Sequence, residues 1–149
     1  MFHGETNINL DAKGRMAIPT RYRELISSEC KDQLVLTYNA FENDSLWLYP
    51  YTEWQRVRDQ VMGLTTFDPW HRSLQRRIVG AAAPVEPDKS WRIQIPQSLR
   101  GRAKLDKQVI LMGLGNKFEI WNDEELDTRQ QEQPLPDQPP SEELAKLVI

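Results

Sequence analysis

Arg15-Met16-Ala17-Ile18-Pro19-Thr20-Arg21-Tyr22-Arg23 and Arg92-Ile93-Gln94-Ile95-Pro96-Gln97-Ser98-Leu99-Arg100 carry one pattern, R-x-x-I-P-x-x-x-R, twice in a chain of 149 residues. The copies begin 77 residues apart, and an aspartate, Asp11 or Asp88, stands four positions before each leading arginine. One pattern in both halves of a short chain reads as a tandem duplication. The repeated unit is then the object to explain.

Working outward from the first copy, Thr6-Asn7-Ile8-Asn9-Leu10 alternates apolar and polar residues like a half-buried strand. Asp11-Ala12-Lys13-Gly14 is a turn signal in which Gly14 supplies a positive φ. Arg15-Met16-Ala17-Ile18 returns as a second strand, so the two predict a hairpin. Pro19 suits the first turn of a helix, which has no intrahelical N–H bond to lose there, and the helix should cover residues 20–28. Leu34-Val35-Leu36-Thr37-Tyr38 and Leu46-Trp47-Leu48-Tyr49 are β-rich runs on either side of a polar turn. The unit is ββαββ. The second copy repeats it through Trp91-Arg92-Ile93-Gln94-Ile95, a short helix at Leu99 and Arg100, Val109-Ile110-Leu111-Met112 and Phe118-Glu119-Ile120-Trp121.

Two helices are expected between the units. Thr52 and Gln55 form a capping box ahead of the stripe Trp54, Val57, Val61 and Leu64. Asp68-Pro69 caps a second helix whose Trp70, Leu74 and Ile78 share one side, with Arg72, Arg76 and Arg77 opposite. That arginine face fits solvent, an interface or nucleic acid. Trp47 points away from Leu46 and Leu48, which makes its strand apolar on both faces. The extra layer this demands could be the second unit, the linker helices or another subunit, and the demand supports oligomerisation.

Charge divides the chain. The formal net charge is −3, yet residues 119–149 hold nine acidic and two basic side chains, leaving 13 acidic and 17 basic in residues 1–118. A basic body permits a polyanionic partner. Residues 127–149, rich in Pro, Gln and acid, should be a mostly disordered tail, with one or two amphipathic turns at Ser141–Leu147. No leader or membrane-length apolar run is visible, and lone Cys30 fits a reducing cytoplasm.

Catalytic chemistry finds no support. There is no Gly-rich phosphate loop, no nucleophile elbow, no H-E-x-x-H and no paired cysteine, so no enzyme activity, cofactor, metal or small-molecule substrate is expected. His3 and His71 read as solvated surface groups, and Cys30 as a small apolar packing residue. The leading arginines are different. The pleat that turns Met16 and Ile18 inward turns Arg15 outward, and Arg92 stands in the same relation to Ile93 and Ile95. A guanidinium there can fork onto phosphate oxygens or onto O6 and N7 of guanine in a major groove, with Lys13 on a backbone phosphate. An Asp11–Arg15 pair that merely pins the turn explains the same residues.

Phe2-x-Gly4, Leu10-Asp11-x-Lys13-Gly14-Arg15-x-x-Ile18-Pro19-x-x-x-Arg23, Leu46-x-Leu48-Tyr49-Pro50 with Trp54, Arg92-x-x-Ile95-Pro96-x-x-Leu99-Arg100 and Lys117-Phe118-Glu119-Ile120-Trp121 together resemble the MraZ family, over residues 1 to about 126. The resemblance implies a mainly β fold with short helices (α+β), built from two tandem swapped-hairpin units of SpoVT/AbrB type interlocked as an intrachain pseudo-dimer. The units span 5–52 and 81–126, with a helical linker over 53–80. It further implies a cytoplasmic, nucleoid-associated transcriptional regulator, usually a repressor. Such a regulator binds short direct repeats of double-stranded DNA upstream of its own gene, at the head of a division and cell-wall cluster, as a ring-shaped homo-oligomer. The family's DNA-contacting arginine falls on Arg15 beside Lys13, with Arg92 and Arg23 as weaker candidates and Asp11, Gly14 and Asp88 shaping the turns. Trp91 stands where the family pattern has glycine, which predicts a second tip of different shape. The alternative function is a non-enzymatic antitoxin-like or assembly module whose main partner is a protein, docked through Leu144-Ala145-Lys146-Leu147.

Overall fold

The chain was analysed as a computed structural model that describes residues 1–132 and 141–148. Its first half contains β1 (Phe2–Asn9), β2 (Arg15–Ala17), α1 (Thr20–Cys30), β3 (Leu34–Tyr38) and β4 (Ser45–Pro50). Next come α2 (Tyr51–Met62), α3 (Pro69–Gln75) and a π-helical turn at Arg76–Gly80. The second half repeats the order as β5 (Ala83–Val85), β6 (Arg92–Gln94), α4 (Gln97–Arg102), β7 (Gln108–Gly115) and β8 (Phe118–Asn122), followed by α5 (Asp123–Glu132) and α6 (Glu142–Ala145). The ββαββ order is present twice.

The pairing differs from the expected hairpin. The chain does reverse after Leu10, but β1 does not pair with β2. It lies antiparallel on β7 from Phe2↔Gly115 to Asn9↔Gln108, and β2 pairs with β6. The reason is length. Three residues of β2 cannot satisfy the backbone groups of an eight-residue strand, whereas β7 has eight of its own. The six-stranded sheet runs β1-β7-β8-β4-β3-β5, an order that reads the same when the halves are exchanged. Each half therefore lays its first strand on the other half's third.

One face of this sheet, with β2, β6, α1 and α4, encloses the main core around Met16, Ile18, Ile26, Ile93, Ile95, Leu111 and Phe118. On the opposite face, α2 and the π-helical turn cover β3 and β4 through Val35, Trp47, Tyr49, Trp54, Val61 and Ile78. This corrects the reading of Trp47. The linker helices supply its second layer, so its burial is no argument for another subunit. Further along that face, α5 packs Leu126 against Ile110 and Trp121. Its first turn is capped by Asn122 Oδ1, which accepts from the N–H groups of Glu124 (2.9 Å) and Glu125 (3.3 Å). Residues 127–132, expected as tail, are therefore helical, because the outer face of β7 and β8 needs a cover. The expected Pro/Gln-rich segment 133–140 lies outside the described residues.

Two further local expectations change. The Thr52 capping box is not formed, since α2 starts two residues earlier with Pro50 as its N-cap and no side-chain bond. Asp68 does cap α3, accepting from the Trp70 N–H at 2.8 Å, but Trp70 itself is 82 % exposed. Only the later part of that stripe, half-buried Leu74 and buried Ile78, reaches the core.

Close approach of β1 to β7 depends on Gly113, which pairs with Gly4; a Cβ at Gly113 would stand 2.6 Å from the His3 backbone nitrogen. Gly113→Ala should destabilise the fold by about 1–3 kcal/mol, the usual cost of overpacking. Denaturant melts check this, together with faster hydrogen exchange confined to β1.

Candidate nucleic-acid interface

Both turns ahead of the short strands have one architecture. In the first, the Asp11 N–H donates to the Arg15 carbonyl (3.1 Å) and the Gly14 N–H to the Asp11 carbonyl (2.9 Å). Asp11 Oδ1 accepts from the N–H groups of Lys13 and Arg15, both at 2.9 Å, and Oδ2 accepts from Arg15 Nε at 2.6 Å. In the second, the Asp88 N–H donates to the Arg92 carbonyl (2.9 Å) and the Trp91 N–H to the Asp88 carbonyl (3.0 Å). Asp88 Oδ1 accepts from Ser90 (2.8 Å) and Arg92 (3.0 Å), and Oδ2 accepts from Arg92 Nε at 3.1 Å.

The second tip was expected to differ, and it does not. Trp91 takes φ +58 where Gly14 has φ +77, and the hydrogen bonds correspond one for one. A left-handed conformation costs a non-glycine residue about 1–2 kcal/mol. Fixed bonds to Asp88 and the Arg23 guanidinium, 5.8 Å from the centre of the Trp91 ring, hold it there. At Gly14 the space is taken differently, because a Cβ would collide with the Arg100 guanidinium. The last arginine of each repeat thus braces the other half's tip. Both also close their own turn, Arg23 Nε donating to the Ile18 carbonyl (2.9 Å) and Arg100 Nε to the Ile95 carbonyl (3.1 Å).

Between the tips, β2 and β6 form a two-stranded ribbon. Met16↔Ile93 faces the core, so Arg15↔Gln94 and Ala17↔Arg92 face outward together. Symmetric bonds extend it, from the Ile18 N–H to the Trp91 carbonyl (2.7 Å) and from the Ile95 N–H to the Gly14 carbonyl (3.2 Å). Gln94 Nε2 adds a bond to the Lys13 carbonyl at 2.8 Å. The two arginine side chains are 27 % and 34 % exposed, and Arg92 Nη1 lies 3.7 Å from Asp11 Oδ2. The structure so gathers Asp11, Arg15, Asp88 and Arg92 into one cluster. Each Nε is tied to its own aspartate, which fixes the plane of the guanidinium while both Nη groups of Arg15 make no hydrogen bond among the described residues. The pinning ion pair and an outward-facing fork are therefore compatible.

Lys13 is exposed at the first tip, and Lys89 is exposed at the second. Lys89 was missed in the sequence because it stands one place earlier in its turn than Lys13. Asp88-Lys89-Ser90 was the signal that could have found it. The arginines of the linker are mostly engaged. Arg72 donates to the carbonyls of Thr66 (2.7 Å) and Phe67 (3.2 Å), and Arg77 to those of Asn39 (2.7 Å) and Glu42 (3.2 Å).

The family model described as "MraZ protein, putative antitoxin-like" matches residues 1–77 and again 78–147. This chain belongs to the MraZ family. A protein named transcriptional regulator MraZ from Stenotrophomonas maltophilia (strain R551-3) is 49 % identical over 124 residues, covering 83 % of this chain and 84 % of that protein. Its namesakes from Xanthomonas oryzae pv. oryzae (strain MAFF 311018) and Xylella fastidiosa (strain Temecula1) are 47 % and 46 % identical, with the same coverage. The two family matches meet at the π-helical turn, which agrees with a duplicated unit.

The backbone N–H of Arg15 holds the Asp11 carboxyl below its ordinary value of 3.8, and that of Arg92 does the same for Asp88. A carboxylate whose folded pKa is depressed stabilises the fold fully above its unfolded pKa. That contribution is lost only as pH falls through the folded value. Carboxyl-carbon NMR titrations should place both midpoints below 3.8. The Arg15 and Arg92 Nε–H signals should shift with the same midpoints.

Proposed function

We propose that this chain is a sequence-specific DNA-binding transcriptional regulator, a repressor of the gene cluster it heads, whose reading surface is the β2–β6 ribbon. One observation carries the reading. Two arginines, each oriented by its own aspartate, face outward from a ribbon narrow enough for the major groove, with a lysine at each tip. Arg15 and Arg92 are assigned to base edges, and Lys13 and Lys89 to phosphates. The names of the relatives support the regulatory role. Arg23 acts on the DNA contact through Trp91 rather than by touching the duplex.

In this reading the units span 5–52 and 81–126 around a linker at 53–80, and α5 extends the second unit. β1 on β7, β5 on β3 and β2 on β6 support a swapped-hairpin reading of those units. One ribbon supplies about 1–3 kcal/mol for each base pair read, too little to find an operator. Ring-shaped oligomers presenting several ribbons to phased direct repeats supply the remainder as avidity. The protein then resides in the cytoplasm on the nucleoid.

Titration of the upstream DNA at two salt concentrations tests the assignment. Arg15→Ala should weaken binding about 5- to 100-fold and relax one base preference. Lys13→Ala should weaken binding without changing preference and flatten the salt slope. Wild-type affinity in Arg15→Ala and Arg92→Ala alike would move the function to a protein partner.

A further inference from the structure

The linker arginines, whose face fits solvent, an interface or nucleic acid, fall into two groups in the structure. Arg72 and Arg77 are spent on backbone carbonyls. Arg76 is exposed, and its guanidinium has no ion pair or hydrogen bond among the described residues; the same holds for Arg102 at the end of α4. Both line one recess of about 480 Å³ with Arg77, Tyr38, Ser73 and Asn43. No carboxylate belongs to its wall. Glu42, whose carbonyl Arg77 holds, does not line the recess.

Three guanidinium groups on one concave wall repel one another, and nothing in the wall neutralises them. Their placement is built rather than incidental. Arg77 is fixed by its bonds at 2.7 and 3.2 Å to the 39–42 loop and by the Tyr38 ring 5.5 Å beneath it. Arg76 and Arg77 stand on a π-helical turn, an irregularity that occurs frequently at functional sites. The volume lies in the range of small-molecule sites. Two unspent guanidinium forks match two phosphoryl groups, with the Ser73 hydroxyl and Asn43 amide as neutral partners. A recess of this volume, walled by side chains from several elements, suits a compact anion that it can largely enclose.

We infer that this recess is a binding site for a small phosphorylated compound carrying two linked phosphoryl groups, separate from the DNA-reading ribbon. The inference does not depend on what the ribbon binds. Isothermal titration of the full-length protein with inorganic pyrophosphate tests it. Saturable binding of one anion per chain is expected, weakened about tenfold or more in Arg76→Ala/Arg102→Ala and unchanged in Arg15→Ala. Ser73→Asp, which adds a carboxylate to the wall while keeping every arginine, should abolish binding with the thermal midpoint preserved. Absence of saturable binding at millimolar pyrophosphate would overturn the inference. So would binding that survives both recess variants, binding lost with Arg15→Ala, or displacement of the anion by a non-operator duplex, which would make the recess a DNA-backbone contact.

Discussion

Neither half of this chain can satisfy its own first strand. The backbone groups of β1 must be paired once they leave water, and β2 is too short to do it, so they are met by β7 of the other half. The same constraint lays β5 on β3 and leaves β2 and β6 to find each other. Everything distinctive follows from that exchange. The two turns, 77 residues apart in sequence, become neighbours at the ends of one ribbon, close enough for Arg92 to lie 3.7 Å from Asp11.

The tips show how one backbone geometry is reached by two side-chain solutions. At Gly14 the missing Cβ both permits the left-handed conformation and makes room for Arg100. At Trp91 the same conformation is held under the Arg23 guanidinium, with the indole as its platform. The terminal arginine of the repeat is thus a brace in both halves, while the leading arginine is kept for the outside. Division of labour between two arginines of one motif follows from the pleat and the helix, since residue 15 lies on a strand and residue 23 on α1.

Local features were readable from the residues. The ββαββ order, the Asp68 cap, the inward Ile-Pro step and the outward Arg15 and Arg92 all depend on neighbours within a few positions. Partner choice was not readable in that way, because the hairpin signal at Asp11–Gly14 describes the turn and is silent on which strand β1 joins. Trp91 misled because propensity describes an isolated residue, whereas Asp88 and Arg23 over-determine this one. Thr52 lost its cap role because Pro50 opens α2 two residues earlier. Trp70 lost its burial because α3 turns only its later residues to the core. The cover supplied by α5 was hidden by the acidic composition of its surface, with Leu126 as its one buried side chain.

The shared ribbon is where sequence, fold and function meet, and hydrogen exchange measured by mass spectrometry tests it directly. With the upstream duplex added to the intact protein, slower exchange should appear together in residues 11–15 and 88–92. The amides of α2 and α3 should be unaffected. Protection confined to the linker helices, with both tips exchanging as in free protein, would contradict a DNA contact through the ribbon.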